Sequence, residues 1–276
     1  MWRVWVLWLA AAVLFMEGLV LCGFAAPHPV AYVSLKQQLM RQGLDRGYIV
    51  KVFSDARNEF LPDIVRKIAF LRKERPADYA HFLRPEVVAK GRQYLKKHHL
   101  QLASIYDRYG VSPEVIVAIL TVESGLGDHP GKYPVFNVFA SLSVMDTPEV
   151  IKDLGLPAHL YPRLKKKAAW AQRELSIFLE YCRENRLDPF AFRGSWAGAI
   201  GYPQFLPSSL ASYGQDGDGD GKVDLFNHAD AMASIANYLK KSGFQADKAR
   251  TWRRAVLAYN HSEAYADTVL TLARWY

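Results

Sequence analysis

The sequence predicts a mainly α-helical fold, and two observations support this prediction. Apolar side chains recur every three or four residues from Ser34 onward, whereas the apolar–polar alternation of a half-buried strand is scarce. Half of the 276 residues are hydrophobic and 22% are charged, as in a globular protein with a sizeable core. We therefore expect helices packed around a buried centre.

The first 25 residues differ from the rest of the chain and are predicted to be a secretory signal peptide. Arg3 precedes an apolar run that only Glu17 interrupts, and Ala25 is the small residue expected before a cleavage site. The run is also long enough to span a membrane, so a retained N-terminal anchor stays open. Lipidation at Cys22 is less favoured, because Leu21 is larger than a typical lipobox residue.

The net charge indicates which class of partner the chain could bind, and the cysteine content indicates whether it could form a disulfide. Loss of residues 1–25 removes one Arg and one Glu, so the formal net charge stays at +8. An exported, basic chain without a recognised nucleic-acid motif suits an anionic cell wall or membrane surface better than nucleic acid. Cys182 would then be the only cysteine, which excludes an intramolecular disulfide, and its place on an apolar stripe predicts a core position.

The first half of the chain is predicted to form short helices followed by one long helix. Breaks near Gly43, Gly47 and Pro62 divide residues 32–75 into two or three short helices. A long helix is expected over Pro85–Tyr109. Its predicted contacts are Val88, Tyr94, Leu95, Leu102, Ile105 and Tyr106.

Loops rich in Gly and Pro separate the helices of the second half. A short helical piece near Val138–Met145 is expected within the loop region 127–162, and Gly194–Gly221 is also loop-rich. Helices are predicted at Leu164–Asn185, Ala229–Ser242, Thr251–Tyr259 and Ser262–Trp275. The inner stripe of the first of these consists of Leu164, Ala168, Ala171, Leu175, Phe178 and Cys182.

The segment Val111–Gly127 sets one carboxyl group at the end of an apolar helix. Ser112 is the expected N-cap before Pro113, and Gly125 the expected stop. Glu123 shares a helical face with three large apolar residues, Ile116, Ile119 and Leu120. Burial and the negative end of the helix dipole both raise a carboxyl pKa, as a general acid requires. A buried Glu bonded to backbone donors is the alternative.

An acidic loop predicts a structural calcium site. Positions 1, 3, 5 and 9 of an EF-hand-like loop are occupied by Asp216, Asp218, Asp220 and Asp224. Gly221 provides the turn and Lys222 a backbone carbonyl. Position 12 is Asn227 instead of a bidentate Glu, and Asp230 is the residue expected to complete the ligand shell. A calcium-free acidic turn is the alternative.

Two further segments suit a carbohydrate, with its apolar ring faces and polar edges. The Gly/aromatic block, Gly194–Ser209, combines flat rings with neutral hydrogen-bonding groups, supplied by Trp196, Tyr202, Phe205, Ser195 and Gln204. Tyr259 and Asn260 precede Ser262, the expected N-cap of the last helix. A tightly packed turn and a simple helix cap are the respective alternatives.

Taken in order, these segments resemble the membrane-bound lytic murein transglycosylase B family over residues 34–275. The resemblance rests on IVAILTVES, FRGSWAGAIGYPQFLPSS, the aspartate loop with DAMASIANYL, and YNHSEAY. It implies a lysozyme-like catalytic core at 111–276, a smaller helical N-terminal region at 26–110 and a calcium loop at 216–230.

The resemblance also implies a reaction. The β-1,4 bond between N-acetylmuramic acid and N-acetylglucosamine in peptidoglycan would be cleaved without water, leaving a 1,6-anhydro ring. Glu123 matches the family's sole acid/base, with the substrate's acetamido group assisting, although most glycosidases use two carboxylates. Asp128 and Asp146 are near enough in sequence to remain candidates for a second acid.

Further residue roles follow from the resemblance. The implied substrate-binding residues are Ser195, Tyr202, Gln204, Tyr259, Asn260 and Tyr265. The implied ligands of a structural Ca²⁺ are Asp216, Asp218, Asp220, Lys222 through its carbonyl, and Asp230. Lys166 and Lys167 stand where the family often has two arginines, so contacts to stem-peptide or sugar carboxylates are expected to differ. No organic cofactor is expected.

The expected protein is therefore an exported, monomeric, periplasmic enzyme acting on peptidoglycan strands, with membrane association through the N-terminus left open. A lysozyme-type muramidase on the same fold is the nearest alternative, because the sequence does not decide between water and the C6 hydroxyl as acceptor. A non-catalytic peptidoglycan-binding scaffold is a further alternative. A calcium sensor is disfavoured, since only one loop is present and its position 12 is not Glu.

Overall fold

The computed structural model describes residues 30–276, and within that range the chain is mainly α-helical, as predicted. The predicted leader, residues 1–25, lies outside the described residues. The helices are α1 (Ala31–Arg41), α2 (Arg46–Phe53), α3 (Pro62–Ala69), α4 (Pro85–Lys97), α5 (His99–Tyr109), α6 (Pro113–Ser124), α7 (Val135–Ser143), α8 (Pro148–Asp153), α9 (Tyr161–Glu184), α10 (Pro207–Tyr213), α11 (His228–Lys241), α12 (Ala249–Tyr259) and α13 (Glu263–Trp275). Three short 3-10 turns occupy Pro76–Asp78, Ala80–Leu83 and Ala158–Leu160.

Three short helices precede residue 75, within the predicted number. The break expected near Gly47 is wrong, because Gly47 lies inside α2. Asp45 is the N-cap of that helix, and its carboxylate accepts a hydrogen bond from the Tyr48 amide at 2.7 Å. The cap starts the helix at Arg46, so Gly47 lies within its first turn.

The single long helix predicted over 85–109 is wrong, since the chain divides there into α4 and α5 at His98. The His98 side chain is buried and packs against the rings of Tyr94 and His228, with centroids 4.3 and 5.2 Å away. Its backbone leaves the helical region at φ −104° and ψ 19°. The expected contact at Tyr106 is also wrong, because that side chain is 45% exposed.

The long helix predicted near residues 164–185 is confirmed as α9. Every member of its predicted inner stripe is fully buried, including Cys182. The region 127–162 is more helical than expected, because it contains two helices, α7 and α8, instead of one short helical piece. Helix α7 packs along α9. The six apolar residues between Val135 and Leu142 supply most of the buried surface that orders α7.

Helix α6 is the centre of the fold. It is surrounded by α4, α5, α11 and α13, and every side chain from Val115 to Leu120 is fully buried. The predicted burial of Ile116, Ile119 and Leu120 is confirmed, and the other faces are buried as well because the helix is apolar on all sides. Gly125 ends the helix in the left-handed conformation at φ 61°, as predicted. Ser112 is the N-cap residue, but its hydroxyl donates to the Glu114 side chain instead of capping an amide.

The Gly/aromatic block folds back on itself beside a two-stranded antiparallel sheet. Strand β1 (Tyr133–Pro134) pairs with β2 (Arg193–Gly194), and further bridges join Gly194 to Ile200 and Ile200 to Phe205. A Cβ on Gly194 would lie 2.3 Å from the Ala199 carbonyl oxygen. Only glycine fits this close approach of two backbone segments.

One continuous hydrophobic core runs from α1 to α13, so the N-terminal helices and the later ones share buried contacts. Between residues 30 and 276, no helix combines the length and apolar character that crossing a membrane requires.

Removing side-chain volume from α6 should destabilise the whole molecule. We expect Ile119→Ala to lower the free energy of unfolding by about 2–5 kcal/mol, because it opens a cavity in a helix buried on every side. Urea denaturation measures this loss. The matched control is Leu100→Ala in α5, where the side chain is 74% exposed and a change of about 0.5 kcal/mol or less is expected. Equal losses for the two variants would contradict the central position of α6.

Candidate active site

Glu123 lies in the last turn of α6, where the buried helix reaches the wall of a pocket. Its side chain is partly buried, and the Tyr265 hydroxyl donates a hydrogen bond to Glu123 Oε1 at 2.9 Å. The pocket has a volume of about 250 Å³, and we call it the acid pocket. Its lining consists of His81, Phe82, Val87, Lys90, Thr121, Val122, Glu123, Ser124, Gly125, Leu126, Asp128 and His129.

The charged groups around the acid pocket come from three parts of the chain. Lys90 of α4 pairs with Asp128 at its edge, which joins α4 to the loop after α6. Burial lowers the pKa of His81, and the nearby Arg84 cation acts in the same direction, which favours the neutral imidazole. Glu123 therefore faces a mixed surface of apolar side chains and locally balanced charges.

Two buried tyrosines form a wall beside Glu123. The Tyr265 ring is nearly parallel to the Tyr259 ring, with an angle of 6° and a centroid separation of 6.5 Å. Both side chains are fully buried, and the Tyr259 hydroxyl donates to the Pro203 carbonyl of the Gly/aromatic block. The structure thus brings Tyr265 into contact with Glu123 and places Tyr259 one ring farther away.

A second pocket, of about 430 Å³, has Tyr259 in its lining, and we call it the basic pocket. Its cationic residues are Lys73, Arg163, Lys166, Lys167 and Arg173. Burial, together with the neighbouring Arg163 and Lys166 cations, lowers the pKa of Lys167 to about 8. The Glu174 carboxylate accepts bonds from the amide and hydroxyl of Ser208, both at 2.9 Å, and so fixes the start of α10 at the pocket edge.

Ser195 and Gln204 are buried and hold the turns of the Gly/aromatic block. Ser195 Oγ accepts from the Ala199 amide at 3.1 Å, while Gln204 Nε2 donates to the carbonyls of Gly201 and Pro130 at 2.7 and 3.0 Å. These side chains therefore shape the wall through backbone contacts, which agrees with the packed-turn alternative for the block.

The other two predicted substrate residues lie at the edges of this wall. Asn260 is buried and follows the end of α12 in an extended conformation. Tyr202 is partly exposed and packs on the His228 ring, with centroids 4.7 Å apart. His228 begins α11, directly after the aspartate loop, so Tyr202 connects the block to that loop.

The aspartate loop gathers three carboxylates. One oxygen from each of Asp216, Asp218 and Asp230 lies within 4.8 Å of the others. Asp216 accepts from the amides of Gly219 and Gly221 at 2.6 and 2.8 Å, which curls the loop. Asp230 is buried in the first turn of α11, as the sequence predicted for the residue that completes the shell.

A comparison of the sequence with known protein families identifies the family to which this chain belongs. The family described as "Transglycosylase SLT domain" matches residues 29–256, most of the sequence. The chain belongs to the SLT transglycosylase family. The resemblance inferred from the ordered motifs is thereby confirmed.

Individual SLT-family relatives agree with this assignment. The membrane-bound lytic murein transglycosylase B of Escherichia coli K12 is 30% identical over 239 residues, which cover 80% of this chain. The chain spans 59% of that relative's length. The Escherichia coli lytic transglycosylase Slt35, in a structure with calcium, has a TM-score of 0.72 at 25% identity and covers 92% of this chain and 94% of its own.

A further SLT-family structure supports the fold alone. It is SltB1 of Pseudomonas aeruginosa, with a TM-score of 0.73 at 24% identity over 90% of this chain and 98% of its own. Together with Slt35, it confirms the prediction of a mainly α, lysozyme-like transglycosylase fold.

The loop of this SLT-family chain has the chemistry to hold a cation. Burial raises the pKa of Asp230, backbone amides of Asp224 and Gly217 oppose that rise, and the charge of Asp218 adds to it. A divalent cation would offset the cost of keeping these carboxylates ionised together. Asp220 lies outside the three-carboxylate group, and its oxygen accepts instead from the Lys222 amide at 2.8 Å. Asn227 caps α11 and donates to Asp218.

Two residues near Glu123 were not predicted from the sequence. Glu74 and Tyr79 lie between α3 and α4, and the Tyr79 hydroxyl donates to the Glu74 carboxylate at 2.8 Å. Tyr79 is buried against the edge of Tyr265, with ring centroids 6.4 Å apart. Their segment is short, highly charged and without helical periodicity, so no local pattern marks it as part of a site.

We expect chelation of divalent cations to lower the thermal stability of the protein. A cation bound only by the folded loop adds stability, and a contribution of about 1–2 kcal/mol corresponds to about 2–8 °C in Tm for a chain of this size. Calorimetry with added calcium and with EDTA measures the difference.

Asp230→Asn should abolish that calcium-dependent shift, because the buried ligand loses its charge. Asp247→Asn is the matched control, since Asp247 is an exposed aspartate outside the loop. A Tm of the unsubstituted protein that is equal with calcium and with EDTA would contradict a cation site in the loop.

Proposed function

We propose that this chain is an exported lytic murein transglycosylase that cleaves the bond between N-acetylmuramic acid and N-acetylglucosamine without water. The observation that carries the proposal is Glu123, a carboxyl held at the end of a fully buried helix with the Tyr265 hydroxyl 2.9 Å from its oxygen. Membership of the SLT family supports this reaction class. The Escherichia coli relative is named a lytic murein transglycosylase, and the chain spans 59% of that relative's length.

The first step is protonation of the glycosidic oxygen by Glu123. The bond between C1 of the muramoyl residue and that oxygen breaks, and its electron pair stays on the leaving oxygen. The muramoyl acetamido oxygen bonds to C1 from the opposite face, so the developing positive charge is taken up within the substrate. Glu123 is then a carboxylate, and the hydrogen bond from Tyr265 stabilises it.

In the second step the same residue acts as a base. The Glu123 carboxylate takes the proton of the muramoyl C6 hydroxyl, and that oxygen attacks C1 and displaces the acetamido oxygen. A 1,6-anhydro ring forms, and Glu123 is again protonated. One carboxyl thus serves as acid and then as base, which is chemically complete because the substrate supplies its own nucleophiles.

The surroundings of Glu123 suit a glycan strand with acidic substituents. The buried Tyr259 and Tyr265 brace the wall beside Glu123, and we propose that Tyr259 and Asn260 lie along the acetamido side, with Ser195, Tyr202 and Gln204 shaping the cleft. The basic pocket beyond Tyr259 suits the carboxylates of muramic acid and stem peptides. Lys166 and Lys167 would bind them as point charges instead of as arginine forks.

We also propose where the protein acts in the cell and which metal ion it binds. Residues 1–25 would direct export to the periplasm, where the protein would act as a monomer, either released or attached through its N-terminus. Calcium held by the aspartate loop would stabilise the start of α11 and the adjoining Tyr202 contact. It would have a structural role and would take no part in either step.

Glu123→Gln should reduce turnover of purified sacculi by about 10²–10⁴-fold, because the amide neither donates the required proton nor accepts one. Binding of the variant to sacculi should persist. Glu180→Gln, an exposed charge removal on α9, is the control and should retain full turnover. Undiminished release of muropeptides by the Glu123 variant would remove that residue from its proposed role.

Mass spectrometry of the released muropeptides should find 1,6-anhydromuramoyl ends, because the C6 hydroxyl is the proposed acceptor. Reducing-end muramic acid would identify a lysozyme-type hydrolase instead. Binding without any release would identify a non-catalytic scaffold. Each product set is thus specific to one of the three functions.

A further inference from the structure

Glu123 has a second carboxyl group in its surroundings. Glu74 comes from the charged segment before the first 3-10 turn and is partly buried. Its pKa is raised to about 7, mainly by burial and also by the negative charges of Glu123 and Asp78, while hydrogen bonds from Tyr79 and Ser262 oppose the rise. Two carboxyl groups that influence one another titrate as a pair.

The two carboxyls are connected through one cluster of side chains. Tyr79 donates to Glu74 at 2.8 Å, and its buried ring meets the edge of the Tyr265 ring. Tyr265 in turn donates to Glu123 at 2.9 Å. Ser262 approaches the same cluster from another direction: its side chain lowers the pKa of Glu74, and its hydroxyl oxygen accepts a hydrogen bond from the Tyr265 amide at 3.4 Å as the N-cap of α13.

The other charged groups near Glu74 largely balance one another. Arg72 and Asp78 form a two-bond ion pair, with both distances at 2.7 Å, so their opposite charges act on Glu74 together. Lys73 lines the basic pocket. The negative charges of Glu123 and Asp78 both act on Glu74 through space, and each raises its pKa.

Titratable groups around Glu123 come from α13, the second 3-10 turn, α4 and the segment after α6. Tyr265 comes from α13, His81 from the second 3-10 turn and Lys90 from α4, while Asp128 and His129 follow α6 itself. Lys90 and Asp128 are paired with each other.

We infer that Glu74 is a positioning residue of this site, a second carboxyl that acts on Glu123 through its charge and orients Tyr265 through Tyr79. An ionised Glu74 disfavours ionisation of Glu123, so the acid keeps its proton to higher pH. When Glu123 becomes a carboxylate after the first step, Glu74 takes up a proton more readily. Glu74 does not touch the scissile bond and forms no bond to the substrate. The pH–rate test of this inference rests on the proposed function, because it measures turnover. The titration of the carboxyl groups does not depend on turnover.

The decisive variant is Glu74→Gln, which removes the charge and keeps an oxygen that accepts from Tyr79. Without the neighbouring negative charge, Glu123 ionises more readily, so the alkaline limb of the pH–rate profile should move to lower pH by about 0.5–1. Glu74→Asp should restore the position of the limb. Glu59→Gln, an exposed charge removal in the same N-terminal region, should leave the profile unchanged.

A second measurement is independent of turnover. In protein labelled with ¹³C at the glutamate carboxyls, Glu123 is assigned by its loss in Glu123→Gln and followed through a pH titration. Glu74→Gln should lower the midpoint of Glu123. By reciprocity, Glu123→Gln should lower the midpoint of Glu74 from about 7 toward its ordinary value. This reciprocal variant tests the coupling even if Glu74→Gln fails to fold.

The outcomes separate the inference from the proposed function. Shifted carboxyl midpoints in a protein that releases no muropeptides would support the coupling and overturn the function. Normal anhydro-product release with both midpoints unmoved would support the function and overturn the role of Glu74. An unmoved limb in Glu74→Gln together with unmoved midpoints would leave Glu74 as a structural residue.

Discussion

The complete burial of α6 is the constraint on which the site depends. A helix whose side chains are enclosed on every face by four other helices cannot shift or rotate without opening cavities throughout the core. Gly125 then turns the chain away at the point where the helix reaches the pocket wall. The Glu123 carboxyl is thus held by the whole hydrophobic core instead of by a loop, and such preorganisation is what proton transfer at a defined atom requires.

Aromatic contacts extend this rigidity to the rest of the cleft. Tyr265 joins Glu123 to α13, its ring faces Tyr259, and Tyr259 bonds to the Gly/aromatic block. The acid pocket and the basic pocket are therefore connected by the same buried side chains. The acid pocket combines apolar side chains with charges of both signs, whereas the basic pocket has an excess of positive charge. A strand with apolar sugar faces and acidic substituents matches that distribution.

The parts of the fold that the sequence predicted are those encoded at short range. The inner stripe of α9, the end of α6 at Gly125 and the position of Asp230 all follow from the spacing of neighbouring residues. The break at His98 did not, because it depends on His228, which is distant in sequence. Glu74 was missed because its own segment carries no periodic signal and because Ser262 and Glu123, which also act on it, are distant in sequence. Ser195 and Gln204 hydrogen-bond to backbone groups in the structure, and their part in substrate binding stays a prediction.

The tight packing at Gly194 limits how this chain can change over evolutionary time. Its neighbour Gly131 is under the same restriction, because a Cβ there would lie 2.2 Å from Gly194 backbone atoms. Substitution at either position must displace main chain, whereas Gly43 has open space around it and is restricted by backbone conformation alone. Drift can therefore replace much of the surface and even part of the core while these two backbone crossings persist. A divergent sequence with this architecture should thus remain recognisable by its small residues longer than by its charged ones.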